Sequence, residues 1–191
     1  MRGLAQLRPA MANLVIYPEG FQSIAEGLRA SYLEGRKAFD RAFETGEDDA
    51  FHDWRKTIQH HWRQMQLLSP CRPSELSARV ELSRTLSQLL GDDHDISMLC
   101  RLVSAPTMIF AGHAETKQFL KRCRRRQDAL RNVAQGLGKK LFSERPRPFV
   151  ARIHAFWDDA AQRSSAPPSP SNVVAFGPPA PQTPGRARAS G

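Results

Sequence analysis

The segment FHDWRKTIQHHWRQMQLL, residues 51–68, carries three histidines, three further basic residues and two tryptophans. On a helical wheel its side chains separate into two faces. The apolar face consists of Phe51, Trp54, Ile58, Trp62, Met65 and Leu68, with His61 at its edge. The opposite face consists of His52, Arg55, Lys56, Gln59 and Arg63. This separation predicts an amphipathic helix with Trp54 and Trp62 in the interior, and with His61 as a hydrogen-bonded core residue.

Apolar residues recur at steps of three and four positions through most of the chain, and no run alternates with a period of two for long. Helices are predicted at residues 18–46, 48–68, 74–91, 92–103 and 113–141, and after Pro148. Pro18 and Glu19 are expected in the first turn, and Gly46 and Gly91 at helix ends. Because such helices must share one core, the fold predicted for residues 19–163 is an all-α antiparallel helical bundle.

The two ends of the chain differ from this pattern. Residues 1–18 form a poorly specified leader, whose apolar residues are too interrupted for a signal peptide or a membrane span. Residues 164–191 hold many prolines and no acidic residue, and so few bulky apolar side chains that a disordered C-terminal tail is expected. Three cysteines are too few for a disulfide framework, which indicates a reducing cytoplasm.

The formal net charge of +9 at pH 7 favours polyanionic partners, namely nucleic acid, anionic lipid or polyphosphate. The polar face of residues 51–68 concentrates this charge, and no acidic residue stands at the favourable four-residue spacing. Like charges held together cost free energy unless an anion meets them. We therefore expect an anion site at His52, Arg55, Lys56 and Arg63.

A second polar motif is LLGDDHDISML, residues 89–99. Asp92 or Asp93 can cap a helix that begins after Gly91, since a carboxylate is favourable at a helix N-terminus. Asp95 would then lie inside that helix, where it could orient Arg55 or Lys56. His94 either contributes to the basic site or lies at its edge.

The paired motifs FHDWRKTIQHHW and LSQLLGDDHDISML resemble the CHAD family, the conserved histidine α-helical domain. The resemblance extends from about residue 19 to residue 157. It implies a helical protein without catalysis that binds inorganic polyphosphate through a basic surface, to which His52, Arg55 and Lys56 would belong. The chain departs from the family pattern at Gln59, where the family has a lysine, and at Arg63, where it has a tyrosine.

A full domain of that family contains two related helical halves, and this chain resembles the second, C-terminal half. We therefore expect either a truncated or half-length product, or a half that associates with another copy. The resemblance implies polyphosphate as the partner, no cofactor, and a cytoplasmic location that includes polyphosphate granules. Second-rank anion-binding candidates occupy one arc of the fifth predicted helix: Lys117, Lys121, Arg124 and Arg131.

The sequence also suggests two other classes of function. The pairs His52-Asp53 and His94-Asp95 are similar to those of HD-type metal-dependent phosphohydrolases. Neighbouring cations would repel a divalent metal, so neither a metal site nor catalytic residues are predicted. The run KRCRRR, residues 121–126, favours nucleic-acid binding, but it surrounds its helix and predicts only non-specific phosphate contacts.

Overall fold

The computed structural model describes residues 20–105 and 113–165, and five α-helices make up most of them. They are α1 (Gln22–Thr45), α2 (Asp48–Leu68), α3 (Pro73–Val103), α4 (His113–Leu141) and α5 (Pro146–Ser165), with a 3₁₀ turn at Ser69–Cys71. The described residues contain no strand, and the predicted all-α fold is confirmed. Helix α2 packs against α1 and α3, α3 packs against α4, and α1 packs against α5.

The turn between α1 and α2 follows the expected chemistry. Gly46 adopts a left-handed conformation with φ 69°, and its N–H donates to the carbonyl of Ala42. Glycine adopts this conformation without strain, as is common after a helix C-terminus. Asp48 and Asp49 then occupy the first turn of α2, where carboxylates favour the helix dipole. A connection this short makes α1 and α2 antiparallel neighbours.

The prediction that a helix ends at Gly91 was wrong, because α3 continues through it to Val103. Five helices therefore replace the six predicted ones. Glycine inside a helix costs about 1 kcal/mol relative to alanine, but the buried side chains on both sides of it, Leu90 and Asp93, hold α3 continuous. Asp92 and Asp93 are consequently interior residues of α3, and neither caps a helix.

The remaining boundaries agree more closely with the sequence. Helix α4 has the predicted bounds, and α5 begins two residues before Pro148. The first two residues assigned to the tail, Ser164 and Ser165, continue α5. Pro18, Glu19, the predicted leader and the rest of the predicted tail lie outside the described residues.

The centre of the core is aromatic. Trp54 is fully buried, and its ring lies 5.1 Å from that of Phe39 and 5.8 Å from that of Phe43. A Cβ atom at Gly138 would come within 2.6 Å of the Phe39 ring, so the missing side chain lets α4 approach α1 and α2. Trp62 is only half-buried, and the predicted interior position is therefore right for Trp54 alone.

A polar cluster holds the C-terminal end of α4. The Tyr32 hydroxyl donates to the carbonyls of Leu141 and Glu144, at 3.2 and 2.9 Å. Arg36 donates to the carbonyl of Glu144 at 2.7 Å, and Arg79 to that of Leu141 at 2.9 Å. The last carbonyls of a helix, such as that of Leu141, have no partner within the helix, so Tyr32 and Arg79 supply their hydrogen bonds. The contacts with Glu144 fix the connection between α4 and α5.

His61 belongs to the same cluster. Its Nε2 accepts a hydrogen bond from Nε of Arg79 at 3.1 Å, and its ring is 2% exposed. Burial, together with the positive charge of Arg79, lowers the pKa of His61 from 6.5 to about 3. The imidazole is therefore neutral, and the prediction of a hydrogen-bonded core residue is confirmed.

Stability should consequently fall in mild acid. Below pH 6.5 the unfolded chain protonates His61, while the folded chain keeps it neutral until about pH 3. We expect this residue alone to remove about 2 kcal/mol of unfolding free energy between pH 7 and pH 5. Urea unfolding at both pH values measures this loss, and His61→Gln, which keeps an acceptor but does not titrate, should show a loss smaller by that amount. The exposed His154→Gln is the control, and an unchanged pH dependence in His61→Gln would refute the assignment.

Candidate anion-binding site

The packing of α2 against α3 brings the two histidine motifs together. The rings of His52 and His94 stack with their centroids 4.1 Å apart and their planes 25° from parallel. Both rings are half-buried. The sequence left the position of His94 open, and the structure places it directly against His52.

Two cations of α2 lie beside this pair. Arg55 packs against α3 at Gly91, where a Cβ atom would lie 3.6 Å from its Nε. That Nε is buried and has no hydrogen-bond partner among the described residues. Lys56 forms an exposed ion pair with Asp53, which precedes it by three residues in α2, at 2.7 Å.

The carboxylate expected to orient these cations is not in contact with them. Asp95 is exposed, and within residues 20–105 and 113–165 no ion pair joins it to Arg55 or Lys56. In the same described part of the chain, no carboxylate is paired with the guanidinium of Arg55.

The electrostatics of His52 reflect this surplus of positive charge. Burial of the ring lowers the pKa of His52, and His94, Lys56 and Arg55 lower it further, against a smaller opposing effect of Asp53. Its Nδ1 is buried without a hydrogen-bond partner among the described residues. The ring is therefore neutral near pH 7 and adds no charge to the cluster in the absence of a ligand.

A cleft between α1 and α2 adds two cations that the sequence analysis missed. Lys37 and Arg41 of α1 line a cavity of about 510 Å³ together with Lys56 and His60 of α2. Glu34 and Asp53 also line it. Lys37 and Arg41 are four residues apart and so share one side of α1. That spacing was visible in the sequence, but nothing there showed which side of α1 meets the basic face of α2.

Arg63 lies on the same face of α2 as Arg55, eight residues further along, which corresponds to roughly 12 Å of helix. It is exposed. The cations of α2 therefore follow the helix axis over about two turns.

The four candidates of α4 do not form one group with these residues. Lys117, Lys121 and Arg124 are exposed. Arg124 lines a different cavity, of about 450 Å³, between α3 and α4. Helix α4 packs mainly against α3, so this arc does not border the basic face of α2.

Arg131 forms ion pairs within the fold. Its Nε donates to Asp93 at 2.7 Å, its Nη2 donates to Asp48, and its guanidinium lies 4.0 Å above the Phe51 ring. Asp93 is 2% exposed. Burial of Asp48 raises its pKa, but hydrogen bonds from Ser97 and Arg131 more than offset this, so its pKa lies below the usual value. The side chain of Arg131 thus joins α2, α3 and α4 through its contacts with Asp48 and Asp93.

The described residues contain no cluster of three or more histidine, cysteine or acidic side chains that could hold a metal ion. His52, Asp53, His94 and Asp95 therefore do not converge as metal ligands would. None of the described helices is long and apolar enough to cross a membrane.

Comparison with known protein families identified one domain family. The sequence model of the CHAD domain matches residues 4–104, which is more than half of the chain and contains both histidine motifs. This chain belongs to the CHAD family. The match begins within the predicted leader and ends at α3, so it covers a different range from the resemblance at residues 19–157. Searches of curated proteins and of solved structures found no significant match.

CHAD domains are in general associated with polyphosphate binding, and they are generally binding domains, not catalytic ones. In this CHAD chain, the two motifs of the matched region meet at the stacked histidines. Arg55 and Lys56 are the cations that lie beside these rings.

Proposed function

We propose that this CHAD chain binds inorganic polyphosphate, without catalysing its turnover, at a basic surface built from α1, α2 and α3. The basic surface consists of His52, Arg55, Lys56, Arg63, His94, Lys37 and Arg41. The observation that carries the proposal is the stacking of His52 on His94 beside Arg55, whose guanidinium has no carboxylate partner among the described residues. Lys37, Arg41 and Lys56 line the cleft between α1 and α2.

Polyphosphate suits this arrangement chemically. It is a flexible chain of closely spaced negative charges and has no bases to be recognised, so cations distributed along a helix are sufficient. Arginine adds two parallel hydrogen bonds to phosphate oxygens, while lysine acts as a compact point charge. The half-exposed side chain of Lys56 can exchange its ion pair with Asp53 for a phosphate contact at little cost, since exposed ion pairs are weak.

The chemistry of the basic surface favours binding over catalysis. A nucleophile needs an adjacent base within hydrogen-bond reach. Among the described residues the Nδ1 atom of His52 has no hydrogen-bond partner, and its ring stacks on a second imidazole. The fixed cations would hold the ground-state phosphate chain without activating water. The proposed location is the cytoplasm, including polyphosphate granules.

Non-specific nucleic-acid binding is the second candidate, and one observation favours it. Arg122, Arg125 and Arg126 of α4 are exposed together with Lys121 and Arg124. They surround the helix and do not form one recognition face. Contacts of this kind reach phosphates and read no base sequence.

Competition between long-chain polyphosphate and duplex DNA, at equal phosphate and salt concentrations, distinguishes the two candidates. We expect polyphosphate to displace DNA at the lower phosphate concentration. Neutralising the α4 pair, in Arg122→Gln/Arg125→Gln, should weaken DNA binding and leave polyphosphate binding nearly unchanged. DNA that displaces polyphosphate equally well, or an α4 variant that loses both ligands together, would indicate general polyanion binding.

A further inference from the structure

Histidine, unlike arginine and lysine, changes its charge near neutral pH. The rings of His52 and His94 are 4.1 Å apart and nearly parallel, and they belong to two helices packed side by side. Two protonated rings at this separation would repel each other. Without a ligand, His52 therefore resists taking up a proton, since burial and the neighbouring ring lower its pKa.

The charged groups around the pair increase this resistance. Helix α2 contributes Arg55, Lys56 and Asp53, and α3 contributes His94 itself. Arg41 of α1 acts on Asp53, the only carboxylate among these groups, and Asp53 is already paired with Lys56. Burial and the surrounding positive charge together lower the pKa of His52.

A bound polyanion would reverse the balance. Its phosphates bring several negative charges to the same place, so a proton on His52 gains attraction where it previously met mainly repulsion. We infer that polyphosphate binding at the basic surface is coupled to proton uptake by the His52–His94 pair, and that the chain therefore holds polyphosphate more tightly as the pH falls through the histidine range. This inference rests on the proposed function.

The sign and size of the effect follow from linkage. The complex binds more protons than the free protein, so the affinity rises as the pH falls and levels off once the rings are protonated in both states. Uptake of about one proton changes the affinity by up to about tenfold per pH unit. Arginine and lysine contribute nothing to this change, because they stay charged throughout the range.

Calorimetric titration with long-chain polyphosphate, at neutral pH in buffers of different ionisation enthalpy, counts the protons directly. Long chains are required because their terminal phosphates, which titrate in the same range, are then few. We expect an uptake of about one proton per occupied site in the unmodified chain. His52→Gln/His94→Gln should bind polyphosphate with no uptake and with an affinity that no longer rises in acid.

The control is His154→Gln, which removes an exposed histidine of α5 that the proposed function does not use. It should leave the proton count unchanged. Polyphosphate binding without proton uptake in the unmodified chain, or uptake that persists in the double variant, would overturn the inference and leave the proposed function standing. If the unmodified chain does not bind polyphosphate at any pH from mild acid to mild base, both the inference and the proposed function are overturned.

Discussion

Replacing Arg131 by Met is expected to lower the free energy of unfolding by about 3 to 5 kcal/mol. The substitution keeps much of the apolar stem above Phe51 but removes the charge between Asp93 and Asp48. Asp93 is 2% exposed, so its carboxylate would remain buried without its cation. Removing one member of a buried ion pair costs far more than an exposed pair contributes.

Urea unfolding monitored by circular dichroism measures this loss. Arg126→Met is the matched control, since it removes an exposed arginine from the same helix. The control should change the unfolding free energy by less than about 0.5 kcal/mol. Equal effects of the two substitutions would show that the ion pairs of Arg131 do not stabilise the fold.

The second large effect is expected on ligand binding. Changing Arg55 and Lys56 together to Gln preserves helix propensity and most of each side-chain stem while it removes two charges. Hydrogen bonds to charged groups are worth about 1.5 to 3 kcal/mol each. Polyphosphate affinity should therefore fall on the order of a hundredfold or more, and its salt dependence should flatten.

Arg186 and Arg188, near the C-terminal end of the chain, provide a control with the same change of charge. Their double replacement by Gln should have little effect on polyphosphate binding. If both pairs matter equally while the helical signal is retained, the interaction is a diffuse attraction to the whole chain and the basic surface is not a site.

The sequence predicted local structure well where one helix determines the outcome. The two faces of residues 51–68 were enough to predict the burial of Trp54 and the hydrogen-bonded core position of His61, because a wheel shows which residues share a side. It did not reveal that Arg79 of α3 donates to His61. Spacing within one helix carries no information about the partner that another helix supplies.

The errors have the same origin. Gly91 is a reasonable helix end by composition, but contacts with other helices keep α3 continuous around it. Asp92 or Asp93 was expected to cap a helix, but both lie inside α3, where Asp93 pairs with Arg131, 38 residues further along the sequence. Lys37 and Arg41 were missed because their relevance depends on the cleft that α1 forms with α2.

The polar cluster at the end of α4 has a consequence for long-range electrostatics. Arg36 and Arg79 direct their guanidinium groups at the carbonyls of Phe142 and Leu141, and Arg131 and Arg152 form ion pairs within the fold. These four cations raise the isoelectric point, but we expect them to release few counterions when a polyanion binds, because their charges already have partners within the fold. The slope of log affinity against log salt counts only the phosphates that are neutralised at the surface. For this chain, basic composition therefore overstates the number of charges that a ligand encounters.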